Sequence, residues 1–226
     1  MQAALDSDWD IEMIIVKPAK AEFVKKFKLP GRFTAVLPAV KFDKISSSKT
    51  PQGVLAIVKV KDFEKDIDDI IMKARRVVVA DNISDPGNMG TIVRTAAAFG
   101  YDLVVCVGEC ADVYNPKTVR ATQGAIFAIP VYKVSGPEEF IGKFAEHFKI
   151  TAICLESEIS LSQAPQIDRP ALILGNEITG INPAILAEAD FKFKIEQTSK
   201  VESLNVAVAG GIAMYRFSEG YKGQVT

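Results

Sequence analysis

The segment from Asp81 to Ala96 places an arginine among apolar residues, six positions after an asparagine. Arg94 lies in a run made mostly of Ile, Val, Ala and Phe, where a guanidinium needs an anion as its partner. That anion is either a carboxylate of the protein or a phosphate of a ligand. Asn88 is predicted to cap the following helix. A turn, a cap and a buried salt bridge explain this segment without any ligand.

A second segment that could bind a ligand follows an apolar run. It contains Gly175, Asn176, Glu177 and Gly180. Glycine allows a ligand to approach the backbone closely, and the side chains after it offer donors and acceptors. A simple turn from strand to helix also uses glycine, but it does not need the charge of Glu177. Both interpretations remain open for this segment alone.

The third segment begins at Ser203, which is predicted to cap a helix with Asn205 in its first turn. The helix is apolar almost all round and is therefore predicted to be buried on every side. Gly210 and Gly211 indicate that another backbone lies against it, in a dimer interface or a tight chain crossing. Ser203 is not favoured as a hydrolase nucleophile, because the strand-elbow glycines are absent and the single histidine, His147, falls in an unrelated helix.

The elements that must position these side chains follow an alternating pattern after Arg75. Short β-branched runs alternate with helix-like stretches, which predicts an α/β fold with a mostly parallel sheet and helices on both faces. Ligands of such folds bind at the carboxyl ends of the strands. The predicted strands are Val77–Ala80, Leu103–Val107, Thr151–Leu155, Ala171–Leu174 and Phe191–Ile195, and the predicted helices are Gly90–Phe99, Pro116–Thr122, Pro137–Phe148, Asn182–Glu188 and Ser203–Phe217.

The composition of the 226 residues excludes several classes of protein. With 48% apolar and 24% charged residues, the chain is typical of a globular protein rather than a disordered or fibrous one. We expect no membrane span and no secretory signal at Met1–Asp10. One histidine cannot build a multi-histidine metal site, so no metal is expected. The three cysteines (Cys106, Cys110 and Cys154) fit core packing in a reducing cytoplasm.

Charge is distributed unevenly along the chain. Residues 1–60 carry 10 Lys and Arg against 6 Asp and Glu, whereas the rest of the chain is acidic. Such a basic stretch is either a phosphate-contacting surface or a solvated, lysine-rich face. A polar loop over 44–53, a strand over 54–60 and a charged, helix-leaning stretch over 61–73 follow. We therefore predict two domains, residues 1–62 and residues 63–226.

Together and in this order, the three segments resemble the motifs of the SpoU-type RNA ribose 2′-O-methyltransferases of the SPOUT superfamily. A stretch between the first two motifs, Asn115–Ala125, resembles the family's basic segment. One departure is that Ile195-Glu-Gln197 stands where the family usually has Ile-Pro-Met. The matching residues are Asn88 and Arg94 of the first motif, Gly175, Glu177 and Gly180 of the second, and Ser203-Leu-Asn-Val-Ala-Val-Ala209 of the third.

The resemblance implies S-adenosylmethionine-dependent methylation of a ribose 2′-hydroxyl in ribosomal or transfer RNA, with ribosomal RNA favoured. Ile195 and Leu204 would sandwich the adenine. Arg94 would contact the 2′-hydroxyl or a neighbouring phosphate, while its high pKa makes it a poor general base. The implied residues are Arg94, Asn88, Glu177, Ser203 and Asn205 for catalysis, Gly175, Asn176, Ile195, Gln197 and Leu204 for the cofactor, and Lys25, Lys26, Lys28, Arg32, Lys117 and Arg120 for RNA.

The resemblance also implies a trefoil-knotted methyltransferase domain that works as a homodimer. Residues 1–62 would be a small α/β RNA-binding domain. Compared with the family, the sequence is expected to start inside this domain, near its first helix. The alternative function is an RNA-binding homologue without catalysis, whose altered loop at Ile195–Gln197 no longer holds the cofactor. A nucleotide-dependent doubly wound enzyme is disfavoured, because the sequence has neither a dinucleotide fingerprint nor a phosphate loop.

Overall fold

The computed structural model of the protein describes residues 1–25, 33–48, 50–198, 200 and 203–218. These residues divide into two compact units, 1–62 and 63–226. The described part of the first unit holds a three-stranded sheet in the order β2-β1-β3, in which β1 pairs parallel with β2 and antiparallel with β3. Its elements are α1 (Gln2–Leu5), β1 (Ile11–Val16), α2 (Ala21–Lys25), β2 (Phe33–Val36), α3 (Ala39–Ile45) and β3 (Val54–Val58).

The second unit is built on a six-stranded sheet in which all neighbouring strands are parallel. The strand order is β6-β5-β4-β8-β7-β9, so the chain reverses its direction of winding between β4 and β8. The prediction of an α/β fold with a mostly parallel sheet is confirmed. The elements are α4 (Ile67–Lys73), β4 (Val77–Asp81), α5 (Pro86–Ala98), β5 (Leu103–Val107), α6 (Pro116–Ala121), β6 (Val131–Val134), α7 (Pro137–Phe144), β7 (Lys149–Ile153), β8 (Pro170–Leu174), α8 (Pro183–Ala187), β9 (Phe191–Phe193) and α9 (Val206–Ser218).

Two apolar cores cover the faces of this sheet, as buried parallel strands require. One face packs against α5 and α9, and Met89, Ile92 and Met214 are fully buried there. The other packs against α4, α7 and α8, where Phe140 and Phe144 are fully buried. Within the described ranges, no helix is both long and apolar enough to cross a membrane.

Helix starts follow a shared local rule that corrects two predicted caps. The helices α5, α6 and α8 each begin with proline after an Asp or Asn whose side chain accepts a backbone N–H. The cap of α5 is therefore Asp85, and Asn88 lies inside the first turn, where its side chain does not cap the helix. The third motif behaves similarly, since Asn205, not Ser203, accepts the N–H groups of Ala207 and Val208.

The last helix, α9, is not buried on every side as predicted. Gly210 does allow a close approach, but of a side chain and not of the predicted backbone, because a Cβ there would lie 2.6 Å from a methyl of Leu174. However, Val208, Ile212 and Tyr215 are 53%, 42% and 56% exposed. The apolar composition of α9 therefore reflects one buried face and one exposed face in the single chain.

Candidate active site

The sheet brings the first two motifs to one edge. Strands β4 and β8 are neighbours in parallel register, with Ala80 opposite Leu174. The loop after β4 leads to Asn88, and the loop after β8 contains Gly175 to Ile181. Both loops leave the carboxyl edge of the sheet where the strand order reverses, which is the usual position of a ligand site in open α/β sheets.

A chain of hydrogen bonds joins all three motifs. The side-chain amide of Asn205 donates to Oδ1 of Asn88 over 2.9 Å. Asn88 in turn donates through Nδ2 to Oε1 of Glu177 over 2.5 Å. The three residues are far apart in sequence, so only the fold brings them together. Glu177 therefore holds the carboxamide of Asn88 in place.

A cavity of about 290 Å³ opens beside this chain of hydrogen bonds. Its walls come from the ends of β7 and β8, the segment after β9 and the residues before α9. The five residues predicted to bind the cofactor all lie on its wall, whereas Asn88, Arg94 and Asn205 do not. The predicted residues on the wall are Gly175, Asn176, Glu177, Ile195, Gln197, Ser203 and Leu204.

The chemistry of the cavity wall fits an adenosine-containing cofactor. Ile195 and Leu204 supply apolar surface, while Glu177 and Glu156 add carboxylates. Oε1 of Gln197 is buried without a hydrogen-bond partner among the described residues. Because an unpaired buried acceptor costs free energy, this oxygen indicates a donor that the ligand would bring. Pockets with mostly apolar walls and a few fixed polar atoms are typical of small-molecule sites.

The loop after β8 is a tight turn held by its own asparagine. Asn176 and Gly180 exchange two backbone hydrogen bonds of 3.0 Å, and Oδ1 of Asn176 accepts the N–H groups of Ile178 and Thr179. Gly180 has a φ of +71°, which suits glycine. A Cβ on Gly175 would lie 2.5 Å from the Gly180 backbone carbon. The glycines and Asn176 thus shape this part of the cavity wall.

Two residues behind the cavity escaped the sequence analysis. Asp81, the last residue of β4, is only 1% exposed and accepts the N–H of Asn182 over 2.5 Å and Nδ2 of Asn82 over 2.7 Å. Burial raises the pKa of Asp81, and these two hydrogen bonds offset part of the rise. Asn176 donates through Nδ2 to the carbonyl of Asn82 over 2.8 Å. Together, Asp81 and Asn82 tie the loop after β4 to the loop after β8.

The structure does not bring Arg94 to the cavity. It lies on an exposed part of α5 and has no ion-pair or hydrogen-bond partner among the described residues. The interpretation of Arg94 as half of a buried salt bridge is therefore wrong. The next residue, Thr95, faces Gly211 of α9, and Phe99 packs on Tyr215 with ring centroids 5.7 Å apart.

The predicted RNA contacts divide into two groups. Nζ of Lys117 lies 3.2 Å from Oδ2 of Asp85, which caps the helix carrying Asn88. Arg120 is exposed one turn further along α6. The backbone of Lys25 ends α2, but its side chain and the residues Lys26, Lys28 and Arg32 lie outside the described part of the structure. No group of three or more His, Cys, Asp or Glu within the described ranges could hold a metal ion.

The chain belongs to the SpoU rRNA Methylase family, because its sequence matches the family over residues 75–215. All three motifs fall inside that range. The predicted family is therefore confirmed, and its members use S-adenosylmethionine.

Several relatives are similar to the chain. It is 37% identical to the 23S rRNA (guanosine(2553)-2′-O)-methyltransferase RlmP of Bacillus subtilis, over 77% of this chain and 68% of that protein. It is 30% identical to the 23S rRNA (uridine(2479)-2′-O)-methyltransferase of Streptomyces viridochromogenes, over 80% and 65%. The chain thus spans about two thirds of the length of these curated relatives.

A solved structure is similar over almost the whole chain. The rRNA methyltransferase from Sinorhizobium meliloti, crystallised with AdoMet bound, superposes with a TM-score of 0.87 at 28% identity. The alignment covers 99% of this chain and 86% of that structure. The structural likeness therefore extends beyond the family domain into residues 1–62.

Proposed function

We propose that this protein transfers a methyl group from S-adenosylmethionine to a ribose 2′-hydroxyl of ribosomal RNA. The observation that carries the proposal is the hydrogen-bonded chain from Asn205 through Asn88 to Glu177, set beside a cavity with an unpaired buried acceptor on Gln197. The names of the relatives support ribosomal RNA as the substrate.

When bound, S-adenosylmethionine supplies an electrophilic methyl group for in-line displacement by the ribose oxygen, so the protein mainly has to position the reactants. Ile195 and Leu204 would hold the adenine between apolar surfaces, and Oε1 of Gln197 would accept a hydrogen bond from it. Ser203 at the cavity wall and the Asn88–Asn205 pair would orient the ribose of the RNA. Glu177 fixes the carboxamide of Asn88 in the required orientation.

Arg94 would act as a clamp on a phosphate next to the target ribose. A guanidinium offers donors and positive charge but no acceptor, so Arg94 would stabilise charge on the phosphate and favour loss of the hydroxyl proton to solvent. This role is supported by the exposure of Arg94 and its lack of a partner among the described residues.

In a homodimer, Arg94 of one copy would serve the cofactor cavity of the other. The support is an exposed apolar face on α9 (Val208, Ile212 and Tyr215) beside the helix that carries Arg94. Exposed apolar patches of this kind mark protein–protein contacts. A trefoil knot in the second unit is also part of the proposal, and membership of the SpoU family supports it.

Residues 1–62, together with Lys117 and Arg120 of α6, would bind the rest of the RNA. The first 60 residues have an excess of cations, and Lys117 is held near Asn88 through Asp85. Phosphate neutralisation by such cations supplies affinity that does not depend on sequence. A reducing, cytoplasmic location suits three free cysteines.

The test is an Arg94→Ala variant studied by calorimetry with S-adenosylmethionine and by methylation of a 23S ribosomal RNA transcript. We expect methyl transfer to fall at least about 100-fold, as for loss of one charge-stabilising donor, while cofactor affinity is unchanged. Arg94→Lys should retain part of the activity, because it keeps the charge but not the planar fork.

Two outcomes would contradict the proposal. If the wild-type protein shows no heat of binding with S-adenosylmethionine, the chain is an RNA-binding homologue without catalysis, and the altered Ile195–Gln197 segment is the reason. Equal loss of cofactor affinity and methylation in Arg94→Ala would show that Arg94 belongs to the cofactor site instead.

A further inference from the structure

A second cleft lies at the edge of the sheet opposite the cofactor cavity. It has a volume of about 600 Å³ and is formed by residues 72–76, just before β4, and residues 166–170, at the start of β8. The loop after the carboxyl end of β8 forms part of the cofactor cavity wall, and the loop after β4 leads to Asn88, which is hydrogen-bonded to Glu177 of that wall. The two sites therefore share the central strands but lie at their opposite ends.

The charge of this cleft is opposite to that of its unit. Residues 63–226 carry 16 Lys and Arg against 21 Asp and Glu. Four of those cations line the cleft (Lys73, Arg75, Arg76 and Arg169), and among the residues that the structure describes Asp168 is the one carboxylate on its wall. A concentration of positive charge on an acidic unit indicates a polyanionic partner.

Arg169 is held in a fixed position at the base of the cleft. Its guanidinium lies over the ring of Phe148, 4.7 Å from the centroid, and donates through Nη2 to the carbonyl of Ile71 over 2.7 Å. Its Nε is buried and has no partner among the described residues. The φ of Arg169 is +48°, a left-handed conformation that is unfavourable for a residue other than glycine. Strain of this kind often marks functional positions.

Two cations at the rim, Lys73 and Arg75, are available to a ligand. Asp102 accepts the backbone N–H groups of Arg75 and Arg76 over 2.7 and 3.0 Å, which fixes the chain at this point. The Arg75 side chain is exposed and has no partner within the described residues. Lys73 pairs only with Asp69, at 3.2 Å between two exposed side chains. Exposed pairs of this type contribute little and exchange readily for another anion.

We propose that this cleft binds phosphates of the RNA backbone, away from the nucleotide that is methylated. The inference rests on the proposed function, since it assumes an RNA substrate. Exposed cations spread along an open cleft suit successive backbone phosphates, whereas a small anion needs several donors that converge on one point. The cleft would hold the RNA in register while the opposite edge of the sheet performs methyl transfer.

The experiment measures the affinity of the full chain for a 23S ribosomal RNA transcript between about 50 and 200 mM salt. The test variant is the double substitution Lys73→Gln and Arg75→Gln, and the matched control is Lys133→Gln and Lys192→Gln. All four side chains are exposed in the same unit, so both variants should fold and lose the same charge. Calorimetry with S-adenosylmethionine reports on the cofactor site of each.

We expect the cleft variant to bind RNA several-fold more weakly. The slope of log affinity against log salt concentration should decrease in magnitude by roughly one to two, because each lost phosphate contact lowers it by about one. The control and all cofactor affinities should match the wild type. Equal RNA binding by both variants would overturn the proposal. Weaker binding of inorganic phosphate without any change in RNA affinity would also overturn it, in favour of a small-anion site. Failure of the wild type to bind S-adenosylmethionine would instead count against the proposed function alone.

Discussion

At the scale of single residues, Asn88 is central because it uses both ends of its carboxamide. Its oxygen accepts from Asn205 and its nitrogen donates to Glu177. An aspartate at this position could accept from Asn205 but would face the carboxylate of Glu177. The pairing therefore requires an amide at position 88 and fixes which way it points.

Replacing Asp81 tests whether the contacts between the loops after β4 and β8 stabilise the cavity. In Asp81→Asn, one carboxylate oxygen becomes an NH₂ group that faces either the N–H of Asn182 or Nδ2 of Asn82. We expect a loss of about 1–3 kcal/mol in the free energy of unfolding and weaker binding of S-adenosylmethionine. Urea denaturation and calorimetry measure the two effects. Asp168→Asn, an exposed change of the same type, should alter neither.

The same carboxyl predicts a pH dependence. Because burial raises the pKa of Asp81 above its ordinary value of 3.8, the unfolded chain releases this proton at lower pH than the folded protein. The contribution of this group to stability is therefore present below 3.8 and decreases as the pH rises through the higher folded pKa. Wild type should lose stability relative to Asp81→Asn over this range in urea titrations. A constant difference between the two proteins across that range would contradict a raised pKa.

The sequence predicted the residues with unusual chemistry and missed those with ordinary chemistry. Glu177 stood out because a simple turn does not need its charge, and Asn205 was identified through its place in the third family motif. Asp81 and Asn82 gave no such signal, since Asp and Asn are common after strands. Their role depends on the neighbouring strand β8 and on Asn176, 94 positions away from Asn82. Only tertiary structure supplies that information.

At the scale of elements, the turn after β8 depends on two backbones in contact. A Cβ on Gly175 would lie 2.5 Å from both the carbon of Gly180 and the nitrogen of Ile181. Since the obstacle is backbone, side-chain rotation cannot relieve it. Gly175→Ala should therefore open the turn, cost about 1–3 kcal/mol of stability and abolish binding of S-adenosylmethionine in calorimetry.

The control for that substitution is Gly142→Ala in α7, where a Cβ would meet nothing within 4 Å. Alanine in a helix interior is favoured over glycine by roughly 1 kcal/mol, so this variant should be slightly more stable and bind the cofactor normally. Normal cofactor binding by Gly175→Ala would show that the turn can adjust and does not shape the cavity.

Periodicity predicted the long elements well and the short ones poorly. The strands around Val79, Val105 and Ile173 were visible as continuous apolar runs because both faces of the sheet are covered. Strand β6 (Val131–Val134) was missed, since its four residues include an exposed Lys133 and follow a proline at the end of a short helical stretch. The end of β7 was placed at Leu155, two residues beyond its observed end at Ile153.

At the scale of the whole molecule, the exposed face of α9 predicts the oligomeric state. Ile212 lies in the middle of this face and is 42% exposed, so Ile212→Glu would place a charge in a dimer interface without disturbing the single chain. We expect a monomer by sedimentation and loss of methyl transfer. The control is Ile159→Glu, which replaces another exposed isoleucine of this unit, outside α9. This variant should remain a dimer.

An active monomer of Ile212→Glu would contradict the proposal that Arg94 serves the cavity of a second copy. Mixing inactive Arg94→Ala with inactive Gly175→Ala offers a further check, because a mixed dimer would contain one intact pair of Arg94 and cavity. Recovery of part of the activity is the expected result. No recovery would place both residues in the same chain's site.

The contact between Asn205 and Asn88 spans 117 positions of the sequence. Leu204, the residue before Asn205, also forms part of the cavity wall. A chain still emerging from the ribosome has β4 and the first motif long before these residues are available. Growing chains would therefore be unable to hold the methyl donor, and only a chain extended through α9 could modify the ribosomal RNA around it.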